Sequence, residues 1–289
     1  MTETILVTGA TGNVGAYLIP LLAARQDCVV RAMTRDPGRH GDTFAQSVQL
    51  VAGRFEDAAT LHDAMEGVDT VVMMAPPGPD CIQQNQAVID AARQSGAKKI
   101  VRISAIKAAA DGRTENTRLH GACDALLQNS GMTYTILRPN YFMQNIFMSL
   151  DSIMADNCFY AGMGEGKFAM IDIRDVAESV VTAATTDQFN GEVIEISGPK
   201  SICFNEVASV LSEVAGRRIT YVAVSPDDVE ASILQMGLGD WMANLLKEYS
   251  EAYGDGWGDL VTDNVDRLTG HPARSFRNFA EDCLAPSLT

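Results

Sequence analysis

The fold is decided by residues 5–15, which read ILVTGATGNVG. An apolar run leads through three glycines into an amphipathic segment, and this pattern predicts a buried parallel strand, a tight turn and a helix. Gly9 permits the turn, Gly12 lets the backbone approach a pyrophosphate, and Gly15 allows the helix to lie close to the strand. The stretch therefore predicts a dinucleotide phosphate site at a helix N-terminus. A purely structural strand-to-helix turn is the alternative interpretation.

Apolar runs alternate with amphipathic segments through the rest of the first two thirds of the chain. This alternation predicts an α/β fold with a doubly wound parallel Rossmann sheet. The first helix is expected to bury Val14, Leu18, Leu21 and Leu22, and the helix over residues 82–95 is expected to end at Gly96. A polar loop at 105–116 and a helix at 119–129 follow. The further predicted strands are residues 28–34, 48–52, 70–75, 99–104, 133–137 and 192–197.

The expected domain organisation follows from two regions that differ in how regularly strand and helix patterns alternate. Residues 1–138 form the dinucleotide-binding Rossmann core, which residues 172–198 complete. Residues 139–171 and 199–289 are less regular and contain many Met, Tyr and Trp residues. They are expected to form a smaller, mostly helical substrate-capping part that does not fold independently. No repeat, low-complexity tract or linker marks a separable second domain.

Charge and cysteine content narrow the class of protein. The chain has 22 basic and 37 acidic residues and a formal net charge of −15, which disfavours direct nucleic-acid and anionic-membrane binding. Its cysteines lie far apart without a Cys-x-x-Cys pair, so we expect reduced, mostly buried thiols in a cytoplasmic protein. No basic leader or membrane-spanning run is apparent, and the oligomeric state is left open. The cysteines are Cys28, Cys81, Cys123, Cys158, Cys203 and Cys283.

The end of the second predicted strand indicates which cofactor is bound. NAD-binding units usually place a carboxylate there for the ribose 2′-hydroxyl, whereas an Arg accommodates the 2′-phosphate of NADP. This strand ends at Thr34 and Arg35, with Arg39 close behind. The sequence therefore favours NADP, as NADPH, over NAD. Asp36 supplies a carboxylate nearby, so NAD remains the alternative cofactor. Arg35 has an alternative interpretation as a solvated residue beside a turn, without a role in binding.

Four segments together resemble the NmrA-like, atypical short-chain dehydrogenase/reductase family. They are the glycine stretch, the Thr34-Arg35 strand end, residues 137–145 (LRPNYFMQN) and residues 171–177 (IDIRDVA). The resemblance covers nearly the whole chain. It implies a six- or seven-stranded parallel sheet and a C-terminal part that closes over the substrate. The family includes NADPH-dependent quinone reductases, triphenylmethane dye reductases, isoflavone-type reductases and NAD(P)-binding redox sensors.

One departure from the broader short-chain reductase pattern concerns the catalytic pair. Members of that superfamily activate a Tyr with a Lys four residues later, but none of the 7 tyrosines here has a Lys at that position. The corresponding helix instead offers His120 and Asp124 on one face. His120 is a candidate proton donor with Asp124 as its orienting partner, or else a solvated or pocket-wall residue. Ser104 is a candidate hydrogen-bond donor at a strand end, or a residue that only satisfies backbone groups, and Lys107 is an alternative donor.

The remaining site residues follow from the ligand edge of the sheet and from the resemblance. Tyr141, Phe142, Met143, Phe147, Phe168 and Met170 are expected to line an apolar substrate pocket, with ordinary core packing as the alternative for most of them. His40, His62 and His271 lack plausible partners, so no metal site is expected. The residues expected to bind the cofactor are Gly9, Thr11, Gly12, Asn13, Val14, Gly15, Thr34, Arg35, Arg39, Phe55, Ala75, Pro76, Pro139, Asn140 and Tyr141.

The leading functional hypothesis is an NADPH-dependent reductase acting on a small aromatic, quinone-like or enone-like molecule. An electron-poor acceptor can take hydride before it takes a proton, so the missing Tyr and Lys do not exclude an enzyme. The alternative is an NAD(P)-binding redox sensor or regulatory protein without turnover. A sugar-nucleotide epimerase or dehydratase is disfavoured, because such reactions need the absent Tyr base.

Overall fold

The structure is a computed structural model that describes residues 2–288. Within this part the chain forms two compact units. The first unit comprises residues 2–111, Thr117–Arg138 and Ile173–Ile194. The second comprises Gly112–Asn116, Pro139–Asp172 and residues 195–288. Each unit is therefore built from three separate stretches of sequence.

The strands are short and most have apolar centres. Those whose side chains are buried on both faces, such as TVVM at 70–73, consist almost entirely of β-branched and other apolar residues. In chain order they are β1 Glu3–Val7, β2 Cys28–Thr34, β3 Gln49–Ala52, β4 Thr70–Met73, β5 Lys99–Ile103, β6 Thr133–Pro139, β7 Cys158–Ala161, β8 Val193–Ile196 and β9 Thr220–Ala223.

The helices begin and end where the sequence provides terminal groups. Asp57 accepts hydrogen bonds from Ala59 and Thr60 at the start of one helix, and Gly96 ends another in the left-handed conformation. In chain order they are α1 Asn13–Ala23, α2 Ala58–Met65, α3 Cys81–Ser95, α4 Glu115–Gln128, α5 Leu150–Asp156, α6 Ile173–Thr185, α7 Phe204–Ala215, α8 Pro226–Gln235, α9 Asp240–Gly254, α10 Asn264–Thr269, α11 Phe276–Phe279 and α12 Ala285–Leu288.

Seven strands form one sheet in the order β3-β2-β1-β4-β5-β6-β8. The sheet is parallel with helices on both sides, which confirms the expected α/β Rossmann fold. The order reverses between β1 and β4, so the carboxyl ends of these two strands flank the point where such sheets bind their ligands. In register, Val7 of β1 lies beside Ala32 of β2 and Val72 of β4.

Helix α1 corrects one sequence-based assignment. Val14, Leu18 and Leu22 are buried as expected, but Leu21 is 38% exposed and Ile19 is buried in its place. Because Gly15 is also buried, the buried arc of the helix is centred near Gly15 and Leu22 and extends to Ile19. Leu21 falls at the edge of that arc.

Helix α4 begins earlier than the sequence indicates. It starts at Glu115, within the predicted polar loop, and not near Leu119. The backbone N–H of Glu115 donates to the Glu248 carboxylate at 2.6 Å, and the Asn116 amide donates to the Tyr249 hydroxyl at 2.6 Å. These long-range partners satisfy groups at the helix start, which no local pattern reveals.

The second unit has a core of its own and a small sheet that was not predicted. Strands β7 and β9 pair in parallel, with Phe159 beside Tyr221. A mostly helical region was expected here. The two strands were missed because four-residue segments such as CFYA and TYVA are too short to show a clear hydrophobic period. Helices α5 and α7 to α12 supply most of the remaining structure. Among residues 2–288, no helix is both long and apolar enough to cross a membrane.

Candidate active site

The glycine turn between β1 and α1 has the geometry that its sequence predicts. Gly9 has a φ of +61°, in the left-handed region that favours glycine. A Cβ atom on Gly15 would lie 2.3 Å from the Ala10 carbonyl oxygen, so only glycine fits this close approach without backbone movement. The N–H of Gly12 donates to the Gly9 carbonyl at 3.0 Å and closes the turn.

Two observations show that this end of the sheet suits a dinucleotide. Gly12 is the N-cap of α1, and no side chain of the described residues caps the first turn, so the amides of Asn13 and Val14 remain for an anion. Thr34, at the end of β2, is buried, and its hydroxyl has no hydrogen-bond partner in residues 2–288. Buried polar atoms without a partner are rare, and a ligand hydroxyl or phosphate oxygen would satisfy this one.

The residues after β2 separate the two possible cofactors. Arg35 and Arg39 are exposed, and neither guanidinium forms an ion pair or hydrogen bond within the part of the chain that the structure describes. The Asp36 carboxylate instead accepts a hydrogen bond from the Gly38 N–H at 3.1 Å and caps the short 3-10 turn Pro37–His40. The carboxylate that could serve NAD is thus used locally, while both cations remain available to a 2′-phosphate.

Thr8 connects the glycine turn to the loop after β4. Its hydroxyl donates to the Met74 carbonyl at 2.8 Å and accepts from the Met74 N–H at the same distance. The expected cofactor residues Ala75 and Pro76 follow directly, with Ala75 half-buried and Pro76 exposed. Phe55, after β3, is half-buried and packs against the core of the first unit.

A buried polar cluster lies at the carboxyl end of β5. Arg102 of β5 and Asp124 of α4 form an ion pair in which the two side chains are 2% and 1% exposed. Ser104 donates its hydroxyl to Asp124 at 3.0 Å, and Arg138 of β6 binds the same Asp124 oxygen at 2.8 and 2.9 Å. The Asn85 side-chain oxygen accepts from Arg102 at 3.0 Å. Two guanidinium groups therefore share one carboxylate.

This cluster changes the expected role of Ser104. Its hydroxyl proton is directed to Asp124, so the hydroxyl presents lone pairs and not a proton to any further partner. The role of Ser104 toward a substrate or the nicotinamide stays a prediction. The alternative donor Lys107 has a φ of +52°, an uncommon conformation for a residue with a side chain.

The ring of His120 does not pair with Asp124 as expected. Its Nδ1 atom lies 3.1 Å from a terminal nitrogen of Arg102, which stands between the two predicted partners. Desolvation, and to a smaller extent the positive charges of Arg102 and Arg138, lower the pKa of the half-buried His120 to about 3. The ring is therefore neutral at physiological pH, although the His-Asp spacing had suggested an imidazolium acid.

The second unit contains most of the aromatic residues predicted to bind substrate. Tyr141 makes edge-to-face contacts with Phe168 and Tyr253, with centroid distances of 5.2 and 5.4 Å. Desolvation raises the pKa of Tyr141 to about 12. Phe168, Met143 and Met170 lie in the core, each with at most 2% of its surface exposed. A side chain with no free surface cannot line an open pocket, so core packing describes these three residues.

The other predicted residues of the second unit have more varied surroundings. Asn140 is buried, and its amide donates to the Gly258 carbonyl at 3.0 Å while its oxygen accepts from the Tyr141 N–H. Pro139 is buried and Phe142 is half-buried. Phe147 is 37% exposed and packs edge-to-face on Phe279. Their assignments to cofactor and substrate remain predictions.

The six cysteines all lie within the described residues, and none of them is part of a disulfide. Cys81, Cys123, Cys158 and Cys203 are buried, and Cys28 and Cys283 are half-buried. Burial of this kind is usual for reduced cysteines that pack as small apolar residues.

A family described as NAD(P)H-binding matches residues 9–187, which is more than half of the chain. The chain belongs to this NAD(P)H-binding family. It is similar to an NAD(P)H azoreductase from Xenophilus azovorans, with 34% identity over 277 residues and 96% of each chain covered.

Two solved structures have a similar fold. An NADPH-dependent quinone oxidoreductase from Escherichia coli, crystallised with NADPH, is similar with a TM-score of 0.86 and 25% identity, covering 95% of this chain and 97% of that one. NmrA, a negative transcriptional regulator, has a TM-score of 0.79 at 17% identity, covering 98% and 96%, and shows the fold alone. These comparisons confirm the expected NmrA-like family, the NAD(P) cofactor class and the oxidoreductase class.

Several residues of the site in this family member were missed from the sequence. Arg102 lies between Val101 and Ile103 in the buried strand KIVRI, and a charged residue flanked by apolar ones inside such a strand was the available signal. No sequence signal pointed to Asn85, because it lies on α3 among other polar residues. It contacts Arg102 only because α3 and β5 pack together in the folded chain. Arg138 was noted as part of a motif, but its contact with Asp124 was not anticipated.

Proposed function

We propose that this protein is an NADPH-dependent reductase that transfers hydride to a small aromatic, quinone-like or enone-like acceptor without a Tyr/Lys catalytic pair. The observation that carries the proposal is the neutral state of His120 beside Arg102. A neutral ring can donate a hydrogen bond but does not supply an imidazolium proton. Such a site suits acceptors that accept hydride first and are protonated later from water.

The cofactor would be held by residues of the first unit. The amides of Asn13 and Val14 would bind the pyrophosphate at the start of α1, and Gly12, whose own N–H closes the turn, would let the backbone approach it. Thr34 and Arg35 would bind the adenosine ribose and its 2′-phosphate, with Arg39 nearby. When bound, NADPH supplies the hydride. The NADPH complex of the quinone oxidoreductase relative supports the choice of cofactor.

The polar cluster would hold the acceptor and not protonate it. His120 would donate a hydrogen bond to a carbonyl or related oxygen of the substrate, and the lone pairs of Ser104 would accept one. The azoreductase relative adds azo compounds to the acceptors worth testing, because these are also electron-poor conjugated molecules. The free cysteines support a reducing, cytoplasmic environment, and the net charge of −15 supports the absence of a nucleic-acid partner.

A direct assay tests the proposed activity. The purified protein is incubated with NADPH or NADH and a panel containing a benzoquinone, a naphthoquinone, an enone, an azo dye and a triarylmethane dye. We expect NADPH oxidation above the protein-free rate with at least one acceptor, faster than with NADH. Failure with every acceptor, in protein shown by calorimetry to bind NADPH, would contradict a reductase function.

A regulatory protein that binds NAD(P) without turnover is the second candidate. The same observation favours it, since the lowered pKa of His120 leaves the ring without an acidic proton to donate near neutral pH. This function requires clearly different affinities for NADPH and NADP⁺ together with the lack of turnover. Calorimetry with both forms of the cofactor, beside the acceptor panel, separates the two candidates.

A further inference from the structure

Arg102 occupies the centre of the polar cluster and uses each of its nitrogens. Its Nε donates to Asn85 at 3.0 Å, one terminal nitrogen pairs with Asp124, and the other lies 3.1 Å from His120 Nδ1. The side chain is 2% exposed. A guanidinium held at three points in this way cannot rotate away from the histidine without losing buried hydrogen bonds.

The contact with Arg102 fixes where the proton of His120 resides. A guanidinium has N–H donors and no acceptor, so Nδ1 must accept the hydrogen bond through its lone pair. The single proton of the neutral ring then lies on Nε2. The charged groups near the ring, Arg102, Arg138 and Asp124, carry a net positive charge, which opposes a second proton.

We propose that Arg102 is a positioning residue that holds His120 as the neutral Nε2–H tautomer, so that the ring offers one hydrogen-bond donor to the acceptor. Asn85 and Asp124 orient the guanidinium for this task. The inference rests on the proposed function of His120 in substrate binding, and it adds a named residue that acts through the ring. Neutral imidazole is able to polarise a carbonyl without transferring its proton.

Asp124 has a different role from the one its spacing suggested. Both of its oxygens are occupied, one by Arg102 and the other by Ser104 and Arg138. It therefore cannot accept a proton from the ring directly. Its part is to anchor Arg102, which distinguishes this arrangement from a His-Asp pair in which the carboxylate orients the imidazole itself.

The experiment measures the tautomer in the protein without substrate. Long-range ¹H–¹⁵N spectra of protein labelled at histidine nitrogens identify which ring nitrogen carries the proton, and a titration from about pH 5 to 9 shows whether the ring becomes charged across the ordinary range for histidine. We expect His120 to be protonated at Nε2 and to remain unchanged throughout. A proton on Nδ1, or an imidazolium at pH 7, in the unmodified protein would overturn the proposal.

Three variants separate positioning from a merely structural role. Arg102→Met removes the donor and one of the two nearby positive charges, so the Nδ1–H tautomer should appear. The pKa of His120 should rise from about 3, while burial and Arg138 still hold it below its ordinary value. Arg102→Lys restores a cation and a donor and should recover the Nε2–H form. Arg138→Gln, the matched control, removes a cation from Asp124 but not the donor at Nδ1, so the tautomer should persist.

The outcomes remain distinguishable from those of the activity assay. If folded Arg102→Met keeps the wild-type tautomer and does not titrate, Arg102 is not the positioning residue, whether or not the protein reduces quinones. If Arg102→Met does not fold, the wild-type spectra and the Lys variant decide the question. If the tautomer is as expected but no acceptor is reduced, the proposed reductase function fails alone.

Discussion

Replacing Asp124 by Asn should destabilise the protein strongly, since Asp124 is the one carboxylate that Arg102 and Arg138 share. The side chains of Arg102 and Asp124 are 2% and 1% exposed, so water cannot solvate the guanidinium group that loses its counter-charge. In Asp124→Asn one oxygen becomes an NH₂ group that faces existing donors, either from Arg102 or from Ser104 and Arg138. The variant is isosteric, so its effect reports the charge and hydrogen bonds and not a cavity.

The size of the effect follows from burial. Removing one partner of a buried ion pair typically lowers the free energy of unfolding by about 3–5 kcal/mol. For a protein of this size that loss corresponds to a fall in Tm of about 6–20 °C, at about 2–4 °C per kcal/mol. Thermal melting followed by circular dichroism, in buffers of equal ionic strength, provides the measurement.

An exposed pair on the same unit serves as the control. Arg93 and Asp90 of α3 lie 3.1 Å apart with side chains 60% and 38% exposed. Asp90→Asn should change the stability by only about 0–1 kcal/mol, because solvent screens this pair. If Asp124→Asn melts within 2–3 °C of the wild type, or no lower than Asp90→Asn, the assignment of a buried, charge-dependent cluster is incorrect.

Three further predictions test the cofactor site and the histidine. Arg35→Ala should weaken NADPH binding about 10- to 150-fold, corresponding to about 1.5–3 kcal/mol, and leave NADH nearly unchanged in calorimetry, with Arg93→Ala as a control that alters neither. Gly15→Ala, whose Cβ would meet a backbone oxygen at 2.3 Å, should lower stability by about 1–3 kcal/mol, whereas Gly41→Ala meets nothing within 4 Å and should not. Because the pKa of His120 is lowered to about 3, the unfolded chain binds a proton below about pH 6.5 that the folded chain does not. His120 should therefore make stability fall as pH decreases through this range; urea unfolding of His120→Gln should show a shallower decline than the wild type.

The parts of the fold that depend on local chemistry were predicted well from the sequence. Strand β2 spans the predicted residues 28–34, and α3 ends at Gly96 as expected. The first glycine turn was predictable because its glycines are required by local geometry, namely a left-handed backbone angle or a close approach of neighbouring atoms. The two-stranded sheet of the second unit was not, because β7 and β9 are short and lie about sixty residues apart in the chain.

The candidate site was predicted only in part, for a related reason. The glycines expected to bind the cofactor lie close together within residues 9–15, so their spacing carries the information. The polar cluster instead joins α3, β5, α4 and β6, and its hydrogen bonds depend on how these elements pack. Spacing correctly placed His120 and Asp124 on one helix, but it could not reveal that Arg102 would lie between them. A charged residue between apolar neighbours of a buried strand, as Arg102 is between Val101 and Ile103, is the sequence feature to examine in similar cases.

The carboxylate of Asp36 has a practical consequence for anyone seeking to change the coenzyme preference of this protein. Its oxygen already holds the Gly38 N–H and shapes the turn Pro37–His40. Removing Arg35 alone would abolish a phosphate contact without supplying a ligand for a ribose hydroxyl. A switch toward NADH would therefore combine the loss of Arg35 with a ribose contact from the second Asp36 oxygen, in an orientation that the turn permits, or from a new carboxylate. The number of substitutions needed to change the coenzyme preference therefore depends on the turn Pro37–His40 as well as on Arg35.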